Sequence, residues 1–404
     1  MTYIKRGTRE FKMVNFALFA GGFCTFALLW GTQPLLPDIA NEFHVSPAVS
    51  SLTQTSATIA LAFSLLFAGS LSEIYGRKKI MTMSLVASSL LSVLIGFVPN
   101  FNLLIVTRIL QGITLAGLPA VAMAYLGEEI EPKSLGMAMG LYISGNSIGG
   151  MAGRILNGIL TDYFSWHVAL MGIGLISLLG TVIFWLLLPN SSHFEPQSFK
   201  IKQFTTNLLS HLKSPGLVYI FLIGFLLSGG FVSLYNYIGF DLIKPPYSLS
   251  QTLVGFIFIV YIVGTLSSTW MGMLSDQYGR GKILQLSLII FFSGVCITLI
   301  HDIWLKIIGI AVFTFGYFAG HSIASSWVGK LASNNKAQAA SLYLFCYYSG
   351  GSIGGTASGT LYSHFGWLGV VVMISSLAII AFIISIRLGA ISNERIEVFP
   401  HKVS

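Results

Sequence analysis

The chain has 404 residues, 54% of them hydrophobic and only 9% charged, with a net charge of +8. An ordinary soluble domain carries about 25% charged residues, so a water-solvated fold is excluded. The basic excess is spread over short polar segments and forms no single patch, which argues against a nucleic-acid partner and makes the lipid bilayer the expected one.

Apolar runs of about 20 helical residues, the length that crosses a hydrocarbon core of about 30 Å, are predicted near 14–36, 51–72, 80–98, 103–126, 135–160 and 167–188. Six more follow near 216–240, 251–274, 283–300, 303–329, 338–361 and 366–387. The fold class is therefore an all-α polytopic membrane protein with twelve transmembrane helices. A six-helix bundle over 1–189, a linker over 190–214 with Glu195, Lys200 and Lys202, and a second bundle over 215–404 with a short tail are expected. Lys and Arg stay with the cytoplasmic face. With the N-terminus inside, 18 of the 22, Lys402 among them, fall on inner segments, against Lys244 and Lys306 in outer loops and Arg108 and Arg154 inside spans. A multi-pass protein of the cell (cytoplasmic) membrane with both termini cytoplasmic is expected. Cys24, Cys296 and Cys346 lie in apolar spans, are odd in number and lack metal-like spacing, so core thiols are expected, with no metal or other cofactor.

The chain contains a long internal repeat. Gly69-Ser-Leu-Ser-Glu73-Ile-Tyr-Gly76-Arg77 returns 203 positions later as Gly272-Met-Leu-Ser-Asp276-Gln-Tyr-Gly279-Arg280, and Gln33 and Asp38 align with Asn236 and Asp241. In the fifth spans, Ser144-Gly-Asn146-Ser-Ile-Gly-Gly150 returns as Ser349-Gly-Gly351-Ser-Ile-Gly-Gly355. Same-direction repeats of six spans imply two bundles related by a pseudo-two-fold axis along the membrane normal, the plan of secondary transporters. The acid, the two glycines and the Arg of each copy form a candidate gate motif, in which an acid pairing at the inner helix end would hold one closed arrangement. The glycines at 136, 140, 145, 149 and 153 share one face of the fifth span and suit close helix packing or a smooth rocking surface.

An arginine inside a span costs at least ~2.5 kcal/mol on insertion scales, so it turns inward and takes a partner. Arg108 and Arg154 both fall in the outer half of the first bundle, near Gln33, Asn157, Asp38 and Asp162, which predicts a polar, net positive recess. His321 is the one histidine deep in a span and could carry a proton, or serve only packing. Asn236, between Tyr235 and Tyr237, takes the place of Gln33 in the second half. No Asp or Glu falls at the centre of a span, so a coupling proton must ride on Asp38, Asp162, Asp241 or His321. Neutral, amphipathic or anionic substrates then fit better than cations.

These motifs resemble the major facilitator superfamily. The two repeated turns resemble its cytoplasmic-loop signature, and Leu104-Ile-Val-Thr-Arg108-Ile-Leu-Gln111-Gly112 resembles its fourth-span motif. Gly140-Leu-Tyr-Ile-Ser-Gly145-Asn146-Ser-Ile-Gly149-Gly150 resembles the fifth-span motif of the twelve-span drug:proton antiporter branch, with Asn146 where a proline is expected and Glu73 where the signature has Asp. Gln33-Pro34-Leu-Leu-Pro37 together with Gly320-His321-Ser-Ile-Ala-Ser-Ser-Trp327 resembles a bacterial subgroup of mostly unassigned substrates. The resemblance implies a monomeric secondary transporter, not an enzyme, working by alternating access and driven by a proton gradient to export a small organic or drug-like molecule, with Arg108 engaged in proton coupling. The residues leave two alternatives open: organic-anion uptake or exchange with Arg108 and Arg154 as the anion site, and a membrane enzyme or non-transporting sensor on the same scaffold, against which the lack of a nucleophile–base pair, phosphate loop or metal cluster argues.

Overall fold

The computed structural model describes residues 3–192, 194, 201–332 and 335–398. Glu195, Lys200 and Lys402 of the expected linker and tail lie outside the described residues. The chain divides into two compact units, Met1–Lys200 with Leu242–Phe258, and Ile201–Asp241 with Ile259–Ser404.

Helices in the first unit run Arg9–Trp30, Leu52–Tyr75, Arg77–Ile95, Phe101–Leu115 continued by Pro119–Glu129, Pro132–Tyr163 and Trp166–Leu187. Capping explains their starts: Thr8, Asn100 and Ser165 accept hydrogen bonds from the backbone N–H groups of Phe11, Leu103 and Val168. The first helix gives way beyond Trp30 to the short turns Gln33–Leu35 and Leu36–Glu42, whose Pro34 and Pro37 lack the N–H that a continuing ladder needs. A closed core of Leu18, Leu85, Leu118, Val121, Tyr125 and Phe184 fills this unit.

The second half of the chain carries Ile201–Leu212, Pro215–Ile243, Gln251–Phe256 leading through Ile257–Val260 into Tyr261–Tyr278, Arg280–Ile297, Ile303–Leu331 and Lys336–Val398. The last of these is two helices joined across Gly366, whose φ of 59° and ψ of −147° break the ladder between the eleventh and twelfth runs. Among the described residues, ten helices are long and apolar enough to cross a membrane. Counting the polar fifth-span helix Pro132–Tyr163 and dividing the last one at Gly366, the described residues hold twelve crossings. Among them no strand forms, only an isolated bridge between Ile4 and Ile130. Large exposed apolar side chains such as Leu179, Trp185, Leu266 and Trp270 stand on span surfaces, where hydrocarbon replaces water.

The repeat is visible in the backbone. Gly76 (φ 96°, ψ 141°) and Gly279 (φ 92°, ψ 136°) turn the chain identically between the second and third spans of each half. A side chain at such positive φ is strained, which is why both motif copies need glycine there. The fifth-span glycines divide into two groups. A Cβ at Gly145 would lie 2.5 Å from the Phe19 carbonyl and one at Gly153 would lie 2.6 Å from Ala27 Cα, whereas Gly136 and Gly140 meet nothing within 4 Å. Gly145, Gly149 and Gly153 therefore seat the fifth span on the first helix of the same unit. Below, the end of each unit that carries the repeated turn is its motif end, and the other its far end.

Candidate functional site

At the far end of the first unit Arg154 is 1% exposed. Its Nε and Nη2 both donate to Gln33 Oε1, at 2.9 and 2.7 Å, and its Nη1 donates to the Gly150 carbonyl at 2.7 Å. The guanidinium carbon lies 5.1 Å from the centroid of Trp30 and 4.7 Å from that of Phe258, within cation–π range of both rings. The proline-broken end of the first helix supplies Trp30 and Gln33. Beside them Asn157 Nδ2 donates to the Gly31 carbonyl at 2.9 Å. Arg154 is therefore bonded to Gln33, while Asn157 is bonded to Gly31, two residues before Gln33.

Asp38 and Asp162 both hold the segment Leu242–Phe258. Asp162 accepts the backbone N–H groups of Gln251 at 3.0 Å and Thr252 at 2.7 Å, the first turn of Gln251–Phe256. Asp38 accepts the side-chain amide of Gln251. An acid at a helix start is favourable for both orphan donors and dipole. The partner of Asp38, by contrast, is a neutral amide.

Arg108, also 1% exposed, is enclosed differently. Its Nε donates to the Thr53 carbonyl at 2.9 Å, its Nη2 to the Leu29 carbonyl at 3.1 Å, and its Nη1 to Gln111 Oε1 at 2.5 Å and the Leu28 carbonyl at 3.4 Å. Gln111 in turn donates to the Ser88 carbonyl at 3.1 Å, and Gln54 to Leu29 at 3.0 Å. The side chain joins the first, second and fourth spans, and through Gln111 the third. Four of its five N–H donors already point at oxygens, so little remains for an anion. Asn146 lies in an unbroken helix and packs, with Tyr142, where a side chain on Gly22 would stand.

In the second unit Tyr235 shares a hydrogen bond of 2.6 Å with Thr314, and Tyr237 donates to the Gly355 carbonyl at 2.7 Å, with Asn236 buried between them. Asp241 pairs with Lys306, which is only 3% exposed and sits 5.2 Å from the ring centroid of Trp367. The sequence reading put Lys306 in an outer loop; the helix begins at Ile303 and carries it inward. His321 Nδ1 meets the Tyr343 hydroxyl at 2.9 Å and its ring lies among Tyr317, Tyr343 and Tyr347.

At the motif end of the first unit, Arg77 makes a bidentate pair with Glu128 and donates to Ser72 Oγ at 2.5 Å. Glu73 lies 4.0 Å away with its side chain 45% exposed. In the second unit Arg280 meets Asp276 at 3.2 Å, and Lys330 approaches the same carboxylate at 3.9 Å. Gly69 and Gly272 leave open space where a Cβ would stand. Glu128, Lys306 and the tyrosines around His321 escaped the sequence reading. A usable signal existed for Glu128, which ends the fourth span on the side where Arg77 begins the third, and for Tyr343 and Tyr347, which share a helix face at four-residue spacing.

Twelve crossings, a duplicated turn motif and polar side chains buried in apolar spans define a multi-pass membrane transporter. The model of the Major Facilitator Superfamily matches residues 18–242 and 229–400, and the chain belongs to that superfamily. It is 51% identical over 385 residues to the uncharacterized MFS-type transporter YybF of Bacillus subtilis, covering 95% of each chain. It is 44% identical over 386 residues to the inner membrane transport protein YnfM of Escherichia coli, covering 96% of this chain and 93% of that one. Among solved structures, the nucleoside transporter NupG superposes with a TM-score of 0.78 at 14% identity, covering 93% of this chain and 99% of that one, which shows a shared fold.

Proposed function

We propose that the protein is a proton-coupled exporter of a small organic compound in the bacterial cytoplasmic membrane, working by alternating access with both termini on the cytoplasmic side. The motif ends are then cytoplasmic and the far ends external. The partner of Asp38 carries this reading. Of the three carboxylates able to bear a coupling proton, Asp241 is paired with Lys306 and Asp162 holds two backbone N–H groups, whereas Asp38 has a neutral amide. Protonating Asp38 breaks no ion pair, whereas protonating Asp241 would break its pair with Lys306. Protonating Asp38 weakens its acceptor strength toward Gln251 and loosens Leu242–Phe258 at the external end. Loss of the proton to the cytoplasmic side restores the hold.

Export is favoured over anion binding at paired arginines because the Arg108 fork is already filled by carbonyls and Gln111. The test is a panel of small organic compounds added to everted vesicles with an imposed pH gradient and a proton-sensitive dye. At least one compound should dequench the dye in vesicles carrying the protein and not in empty ones. A compound that accumulates without any proton movement would overturn the coupling.

A further inference from the structure

We infer that the aromatic array around His321, in the second unit, binds a planar aromatic ring bearing a hydrogen-bond acceptor oxygen, such as an aryl carboxylate or aryl carbonyl; this rests on the transporter reading and names its substrate class. The array is built from three helices. Phe231 stacks on Tyr317 with centroids 3.7 Å apart and planes 14° apart. Tyr317 lies nearly parallel to His321 at 6.0 Å and 6°, and His321 has Tyr347 at 4.6 Å and Tyr343 at 5.8 Å. The hydroxyls of Tyr317 and Tyr347 bond each other.

Packing alone is a poor explanation for this composition. Each hydroxyl or imidazole taken into an apolar span costs free energy unless it is satisfied, and leucine or phenylalanine would fill the same volume without that cost. The imidazole edge of this array nevertheless leaves a donor unengaged. The Tyr343 hydroxyl has a single partner, His321 Nδ1. With the Tyr343 O–H donating to Nδ1, the imidazole proton sits on Nε2. Nε2 meets no hydrogen-bond partner among the described residues, and His321 and Tyr347 are only partly buried while Tyr317 and Tyr343 are closed in. A flat ring laid against this stack gains offset or edge contacts, and an acceptor oxygen on that ring satisfies Nε2–H. Among the described residues, neither the ring contacts nor the hydrogen bond of His321 involve a carboxylate, which favours an oxygen acceptor over a cationic ligand there.

The test uses purified protein in detergent with no gradient and three probes of similar size: naphthalene-2-carboxylate, 2-naphthyltrimethylammonium and decalin-2-carboxylate. The wild type should bind the naphthoate most tightly, losing affinity both when the ring is saturated and when the acceptor becomes a cation. His321→Phe, which keeps a ring and removes the donor, should weaken naphthoate binding about tenfold, the value of one hydrogen bond, and leave the naphthyl cation unchanged. Tyr347→Ala should weaken both aromatic probes. A measurement on the wild type needs no variant: naphthoate should slow the modification of His321 by diethyl pyrocarbonate, followed by mass spectrometry. Preference for the cation, equal binding of the saturated acid, or an unaltered modification rate overturns the inference. Binding without gradient-driven movement in vesicles would instead sink the transport coupling and leave the site standing.

Discussion

Arg77 grips Glu128 through two hydrogen bonds, Nη2 to Oε1 at 2.6 Å and Nε to Oε2 at 3.2 Å, while the acid of its own motif, Glu73, stands 4.0 Å off and half in solvent. The first motif is therefore tied to the end of the fourth span. Among the described residues the second has no such acid, and Lys330 meets Asp276 there instead. Glu128→Gln removes the charge partner of a nearly buried arginine. Discounted for the part of Glu128 that stays wet, the loss should be about 1–3 kcal/mol at that helix end. It should appear as faster maleimide labelling of a cysteine at the buried position Leu126, in a chain whose native thiols are replaced. Glu73→Gln should change the rate much less, and equal effects from the two would contradict the Arg77–Glu128 tie.

Arg108 acts through geometry. Its planar fork reaches the Thr53 and Leu29 carbonyls and Gln111 from one position, and a lysine ammonium cannot. Arg108→Lys should lower thermal stability by several degrees in detergent, about 2–3 kcal/mol for buried acceptors left without donors, while the surviving folded fraction binds ligand as before. Lost ligand binding with unaltered melting would make Arg108 part of the binding surface.

In the Asp241–Lys306 pair the lysine is buried beside Trp367, and Asp241 is partly buried. Removing one partner strands a charge, which costs about 3–5 kcal/mol, whereas removing both is far milder. Lys306→Met and Asp241→Asn should each destabilise the protein, and the double variant should recover much of the loss. Additive losses in that cycle, measured by thermal denaturation, would show that the two side chains do not act as a pair.

Close approach of the first and fifth spans depends on Gly149, whose added Cβ would collide with the Phe23 backbone. Gly149→Ala should cut the yield of folded protein, and Gly140→Ala, which faces open space, should not. Equal yields would mean the two helices separate at little cost.

The architecture was legible because hydrocarbon leaves a chain few options. Run length set the spans, and the repeat fixed the two motif turns down to Gly76 and Gly279. Arg154 and Gln33 were legible as neighbours because both are costly in a span and fall at one depth. Arg108 was read as a coupling or anion residue, and the structure surrounds it with carbonyls, because backbone oxygens freed at a helix break carry no signature in the sequence. Lys306 was taken for a loop charge because counting by hydropathy cannot tell a snorkelling lysine from one buried against an aspartate. The rings around His321 come from helices far apart in sequence, so only Tyr343 and Tyr347, one turn apart, announced themselves.

The proposed proton coupling rests on Asp38. In everted vesicles with an imposed pH gradient, a compound that dequenches the dye with the wild type should fail to do so with Asp38→Asn. The variant should still exchange labelled for unlabelled compound across the membrane. Proton movement by Asp38→Asn equal to that of the wild type would contradict the assignment of the proton to this carboxylate.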